Sequence, residues 1–329
     1  MSKNARRHGG YTVLHMKRAV KIRIIRGVQT SIRRMTALAP TRPDTAVFPL
    51  PPRIRVRNLE ILPQFNAPHS LAFDSSSNMY VTDIYNHRIQ KFTSNGTFIT
   101  KWGSHGTVDG QFSYPEGIDV DSTGNVYVAD TGNSRIQKFT NNGTFITKWG
   151  SHGTADGQFS SHAHGILVDS LDDIYITDRF NHRVQKFTNN GTFITKWGSH
   201  GTADGQFDEP HSSTIDKFGI VYVSDMINNR VQKFTNNGTF ITKWGSHGTA
   251  DGQFGRLLGI DVDSYGNIYI VDQANSRIQE FSSNGTFITK WTNPEFSKLE
   301  DIELDSLDNI YVTDTGKNQI FKFVSNSIH

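Results

Sequence analysis

Short runs in which apolar and polar side chains alternate recur along most of the chain. Asn125-Val126-Tyr127-Val128-Ala129, which leads into Asp130, is one of them. A period of two places alternate residues on one face, so each run predicts a half-buried β-strand. The runs sit in a repeating frame opened by Phe65, Phe112, Phe159, Phe207, Phe254 and Phe296, at spacings of 47, 47, 48, 47 and 42 residues. Within each frame an Asp (Asp83, Asp130, Asp178, Asp225, Asp272, Asp314) ends the second strand. A third run such as Arg135-Ile136-Gln137-Lys138-Phe139 follows, and in five frames an Asn-Gly pair and a Thr-Phe-Ile-Thr-Lys-Trp segment come next. Asn-Gly between alternating runs is a strong hairpin signal, because a type I′ turn needs positive φ at both central residues. Four short antiparallel strands per frame make one propeller blade. The reading is therefore all-β: a six-bladed β-propeller of four-stranded blades. The last frame stops after Ile320-Phe321-Lys322-Phe323 without an outer-strand segment. Leu59–Leu62, just ahead of the first frame, is expected to supply that strand and close the ring.

Charge changes the picture by dividing the chain. The net charge of +3 conceals a segment, residues 1–57, that holds 14 of the 34 Lys and Arg and a single acid, Asp44. Residues 58–329 then carry 20 basic and 30 acidic side chains, a net of −10. We divide the chain accordingly into a basic extension over 1–57, expected to be disordered and ending in a Pro-rich linker, and a propeller over 58–329. An acidic propeller is a poor ligand for phosphate backbones, whose affinity rests on Lys and Arg releasing counterions. Nucleic acid or an anionic membrane is expected to engage residues 1–57 alone, where Val20, Ile24, Ile25, Val28, Ile32 and Met35 share one helical face. The absence of cysteine excludes disulfides and thiolate chemistry. No apolar run is long enough to predict a membrane span or a signal peptide, so a soluble and monomeric protein is expected.

Residues that recur in every frame read as scaffold. The Asp is followed five residues later by Arg88, Arg135, Arg183, Arg230 and Arg277, with Gln319 in the last frame. A blade-building pair must repeat, whereas a ligand site breaks symmetry. His105, His152, His200 and His247 lie in Gly-Ser-His-Gly-Thr loops of separate blades, too far apart to share one ion, and read as solvated loop residues. Asn95, Asn142, Asn190, Asn237 and Asn284 each begin Asn-Gly-Thr. Turn chemistry explains them, and as sequons they leave an extracytoplasmic location open.

These frames resemble the NHL-repeat family. The resemblance rests on Asp178-Arg179-Phe180-Asn181-His182-Arg183, on Asp83-Ile84-Tyr85-Asn86-His87-Arg88, and on the Trp-Gly-Ser and Asp-Gly-Gln-Phe links between frames. It covers residues 59–324 and implies a six-bladed propeller that binds protein or RNA, with one enzymatic branch.

Symmetry breaks 14 residues before each repeated Asp, where the chain rounds the mouth of the central channel. The occupants are His69, Glu116, His164, His211, Leu258 and Glu300. Three imidazoles and two carboxylates facing one concavity are a ligand set for a divalent metal such as zinc, with His69, His164 and His211 as ligands. The context resembles the enzymatic branch, the peptidyl-α-hydroxyglycine amidating lyases, whose zinc-binding histidines sit in Pro-His pairs like Pro68-His69 and Pro210-His211. That resemblance also implies an arginine at Arg179 and a tyrosine where this chain has Gly132; Tyr85 is the nearest analogue.

The main expectation is a non-enzymatic binding scaffold whose top face takes a protein, peptide or glycan partner. Arg179, Phe180, Tyr85, Met226 and Ile227, which follow the repeated Asp and differ between blades, are its contact residues, with Glu116 and Glu300 at the mouth. The alternative is a divalent-metal lyase or hydrolase with a His-lined mouth, in which Arg179 holds an anionic substrate.

Overall fold

The computed structural model describes residues 55–57 and 65–324. They form six separate four-stranded antiparallel sheets, each a meander running outward from the channel. In the third blade the inner strand is Ala163–Val168, followed by Ile174–Asp178, Arg183–Phe187 and the outer strand Phe193–Trp197. The other blades repeat this plan, as the alternation predicts. Among the described residues no helix is long and apolar enough to cross a membrane.

Closure differs in detail from expectation. The sixth blade takes its outer strand from Arg55–Arg57, which pairs antiparallel with Gln319–Val324 in the register Arg55↔Val324 to Arg57↔Lys322. An N-terminal strand does close the ring, but it lies upstream of the expected segment and ahead of the expected boundary after residue 57. Its position follows from the ladder, which needs a partner level with Lys322–Val324. Leu59–Leu62 and the expectations for residues 1–54 lie outside the described residues.

Packing lies between blades rather than inside them. Ala72, Tyr80 and Ile89 of the first blade share a buried cluster with Phe112, Ile118, Val126 and Phe139 of the second. The same arrangement continues around the ring to Tyr311 and Ile320 of the sixth blade, which pack on Phe65, Leu71 and Phe92 of the first. This explains the spacing of the opening Phe: it plugs the seam to the preceding blade, and Phe112, Phe159, Phe207 and Phe254 are fully buried. The Trp-Gly link is part of the same joint. Gly103 has φ +102, and a Cβ there would lie 2.6 Å from the Phe112 ring.

The repeated Asp–Arg pair is structural. Asp178 is inaccessible to solvent; its Oδ1 accepts Ser160 N–H (2.8 Å) and its Oδ2 accepts Arg183 Nε–H (2.9 Å). Arg183 then donates to the Thr154, Ala155 and Gln158 carbonyls of the loop that leads into the blade. Arg135, Arg230 and Arg277 bind the loops leading into their own blades in the same way, so the pair pins an interblade loop in blades two to five.

Candidate functional site

The channel mouth is shaped by a bulge in the inner strands. In all six blades the ladder to the second strand slips near the mouth, as between Ala163 and Ile166, and in blades one, three, four and six the slip is buttressed from the second strand. A hydroxyl from the second strand takes up the freed backbone N–H. Gly165 N donates to Thr177 Oγ1 (2.7 Å), Ser70 N to Thr82 Oγ1 (2.9 Å), Ser212 N to Ser224 Oγ (2.9 Å) and Asp301 N to Thr313 Oγ1 (2.9 Å). Bulges re-aim a side chain at a sheet edge, and here the residue at the bulge is His69, Glu116, His164, His211, Leu258 or Glu300 in blade order. Thr177 also donates to the His211 carbonyl (2.8 Å), and Thr313 to that of His69 (2.7 Å), which ties neighbouring blades together at the mouth.

The three histidines meet. His69, His164 and His211 are 7 %, 4 % and 2 % exposed, and each offers a ring nitrogen within 4.8 Å of the other two. The His164 and His211 rings lie 3.8 Å apart between centroids, and those of His69 and His164 5.0 Å. Glu300 Oε1 is 3.3 Å from His211 Nε2 and 3.5 Å from His69 Nε2; Glu116 Oε2 is 3.7 Å from His164 Nε2. Burial holds the His69 ring below the ordinary histidine range, against the opposing pull of Glu300. Burial, and then the neighbouring imidazoles, push His164 well below it, and His211 follows for the same reasons. Burial also raises the Glu116 carboxyl to about 8. Neutral imidazole is the form that binds metal.

Two observations fit a cation. His164 Nδ1 lies 2.9 Å from the His211 carbonyl, which can only accept, so the proton sits on Nδ1 and the Nε2 lone pair is free to ligate. In the same site His69 Nδ1, His211 Nδ1 and Glu116 Oε2 are buried without a hydrogen-bond partner. A buried polar atom left unpaired costs about 1–3 kcal/mol, a cost that a cation offsets at each lone pair it meets.

Residues 65–92, 112–139 and 161–187 match the NHL repeat. The chain carries NHL repeats. No curated protein matches it in sequence. Among solved structures, the NHL propeller is similar to a virginiamycin B lyase from Staphylococcus aureus, at 18% identity and a TM-score of 0.60, over 84% of this chain and 86% of that one. It is also similar to a gluconolactonase from Xanthomonas campestris, at 15% identity and a TM-score of 0.63, over 87% of this chain and 95% of that one. At these identities the likeness establishes the fold.

A cavity of about 370 Å³ opens onto His69 and His164, though not onto His211, and is lined by Tyr85, Glu116, Arg179 and Glu300 among the other expected residues. Arg179 is held by Glu209, with Nη2 at 2.6 Å and Nε at 3.0 Å from Oε2, and its guanidinium lies 5.1 Å from the Phe180 ring. Phe180 is 42 % exposed beside the His162 ring, while Ile227 is exposed without lining the cavity. Met226 departs from expectation: it is buried among Leu258, Val271 and Leu299 and cannot serve as a surface contact. Leu258, the apolar occupant of the mouth position, is fully buried in the same cluster.

Tyr114, His162, Arg256 and Lys298 line the cavity without having been singled out as contact residues. They share one repeat position, two residues before the mouth position, and reading that column across the frames would have found them. The loop histidines are exposed, as expected. His200 additionally meets His182 and Asp208 in a second set of possible ligands. There the Nδ1 of His182 already accepts Glu209 N–H at 3.1 Å, and His200 is largely in solvent.

Proposed function

We propose that the channel mouth holds one divalent metal through His69, His164 and His211, and that the adjoining cavity takes a small anionic substrate for lyase or hydrolase chemistry. The convergence of three buried, neutral imidazoles from three separate blades carries this reading. A binding scaffold has no use for three desolvated imidazoles packed beside two carboxylates, because each imposes a burial cost that a solvated polar residue avoids. A metal in such a site polarises a bound carbonyl or acidifies a bound water. The protein's own groups do the rest: the Thr177 and Thr313 hydroxyls fix the backbone that carries the ligands, and Arg179, braced by Glu209, presents positive charge to the cavity. Cavities of this size enclose a ligand of modest dimensions rather than a folded partner.

Elemental analysis of the purified full chain tests the metal. About one equivalent of zinc or another divalent ion is expected in the wild type and none in the His69→Ala/His164→Ala/His211→Ala variant. A single His211→Gln substitution, with a thermal melt to show that the blades remain folded, guards against loss of metal through unfolding. A folded wild type that takes up no divalent ion on reconstitution overturns the proposal and returns the mouth to a scaffold role.

A further inference from the structure

The six residues two positions before the mouth position form a rim around the channel: Ala67, Tyr114, His162, Glu209, Arg256 and Lys298, in blade order. All but Glu209 line the cavity, and Glu209 is committed to Arg179 at 2.6 Å. The rim is polarised. Blades five and six supply Arg256 and Lys298, and among the described residues neither has a carboxylate within ion-pair distance. Arg256 Nε lies 3.4 Å from Met226 Sδ and its Nη1 lies 3.3 Å from Gln273 Oε1, both neutral partners. Blade two supplies Tyr114. In a six-bladed ring it stands opposite blade five, so the aromatic faces Arg256 across the cavity.

Tyr114 is joined by Tyr85. The two rings pack edge to face at 6.2 Å and are 46 % and 58 % exposed. Tyr114 also adopts φ 52, a left-handed conformation that a bulky side chain occupies only at a cost. Its N–H is anchored there by His87 Nδ1 at 3.1 Å. Tyr114 and Arg256 stand on opposite blades, and Lys298 of blade six lines the same cavity, so the cavity offers both exposed aromatic area and unpaired positive charge to a single small molecule.

Building on the reading of the mouth as a substrate site, we infer that its ligand is a small carboxylate bearing an aromatic or planar apolar group. The carboxylate is bound by Arg256 and Lys298, and the ring stacks on Tyr85 and Tyr114. Charge-assisted contacts of Arg and Lys with a carboxylate are the strong ones, while the tyrosines offer apolar area with little rotamer entropy to lose.

The test uses 3-phenylpropionate, 3-phenylpropionamide and butyrate as probes. Binding to the full chain is measured by isothermal titration and ligand-observed NMR at fixed ionic strength. We expect the acid to bind at least tenfold more tightly than the amide. The Arg256→Gln/Lys298→Gln variant should lose that preference while still binding the amide as the wild type does. Tyr85→Ala/Tyr114→Ala should reduce the phenyl acid to the level of butyrate. Acid and amide binding equally well in the wild type, or an unchanged preference in the Arg256→Gln/Lys298→Gln variant, overturns the inference.

Repeating the series on chelator-treated protein separates the two proposals. A rim-dependent preference in protein that takes up no metal upholds the rim and removes the metal. Metal uptake with no effect of the rim substitutions does the reverse.

Discussion

Glu280→Lys should stabilise the propeller, and the repeats themselves supply the control. At the equivalent position the other blades carry Lys91, Lys138, Lys186, Lys233 and Lys322. Each Lys Nζ lies 4.7–5.1 Å from the ring centre of a buried tyrosine. Three also pair with the Asp of the adjoining turn, Lys138 with Asp121 at 3.4 Å for example. In blade five a carboxylate, 6 % exposed, faces Tyr269 and Asp263 instead. Burial first, and the Asp263 charge second, raise Glu280 from 4.5 to about 7.

The sign follows from linkage. A carboxyl whose folded pKa is raised binds a proton on folding between pH 4.5 and about 7, so its contribution to stability falls as pH rises through that window and is constant above it. At about 1.4 kcal/mol per unit the shift corresponds to about 3 kcal/mol, and solvent screening leaves roughly 1–2 kcal/mol. For a domain of this size that is a rise in melting temperature of roughly 3–6 °C above pH 7. The assay is a thermal melt of the wild type, Glu280→Lys and Glu280→Gln from pH 4.5 to 8, with Lys138→Glu as the converse. The advantage of Glu280→Lys should grow between pH 4.5 and 7 and then level off. A Glu280→Lys protein no more stable than the wild type at pH 8 would refute the reasoning.

Two further outcomes follow from the same geometry. Thr177→Val removes the hydroxyl that accepts Gly165 N–H and donates to the His211 carbonyl; a loss of about 1–3 kcal/mol in urea denaturation and a 10- to 100-fold weaker metal affinity by competition titration are expected, whereas unchanged affinity would show that the bulge does not position the histidines. Phe159→Ala empties a fully buried seam between the second and third blades; a cost of about 3–5 kcal/mol in the same denaturation assay is expected, and a cost below about 1 kcal/mol would show that the seams do not carry the stability.

The fold was legible in the residue pattern because every local signal was repeated. Period-two alternation, Asn-Gly turns and an Asp at each second-strand end recur often enough that a chance match in one frame cannot mislead. The residue pattern also determined which residues break the symmetry, since His69, His164 and His211 stand out only against the column they interrupt. What it could not determine is distance. Whether three side chains from blades one, three and four reach one another depends on the channel radius and on the bulges that turn them inward, both of which arise from packing between blades far apart in sequence. Met226 directly follows the repeated Asp as Ile84 does, and both are buried, whereas Tyr85 and Ile227, one residue further on, are exposed; Met226 is covered by joining a cluster that includes Leu299 of the sixth blade. The closing strand lies at Arg55–Arg57 rather than Leu59–Leu62: Arg53-Ile54-Arg55-Val56-Arg57 does alternate, as does the later segment, and the choice between them is made by the open edge beside Gln319–Val324. The polarised rim was legible in principle as a column of six residues, but its meaning depends on which pairs stand opposite one another, and only a closed ring of six defines an opposite side.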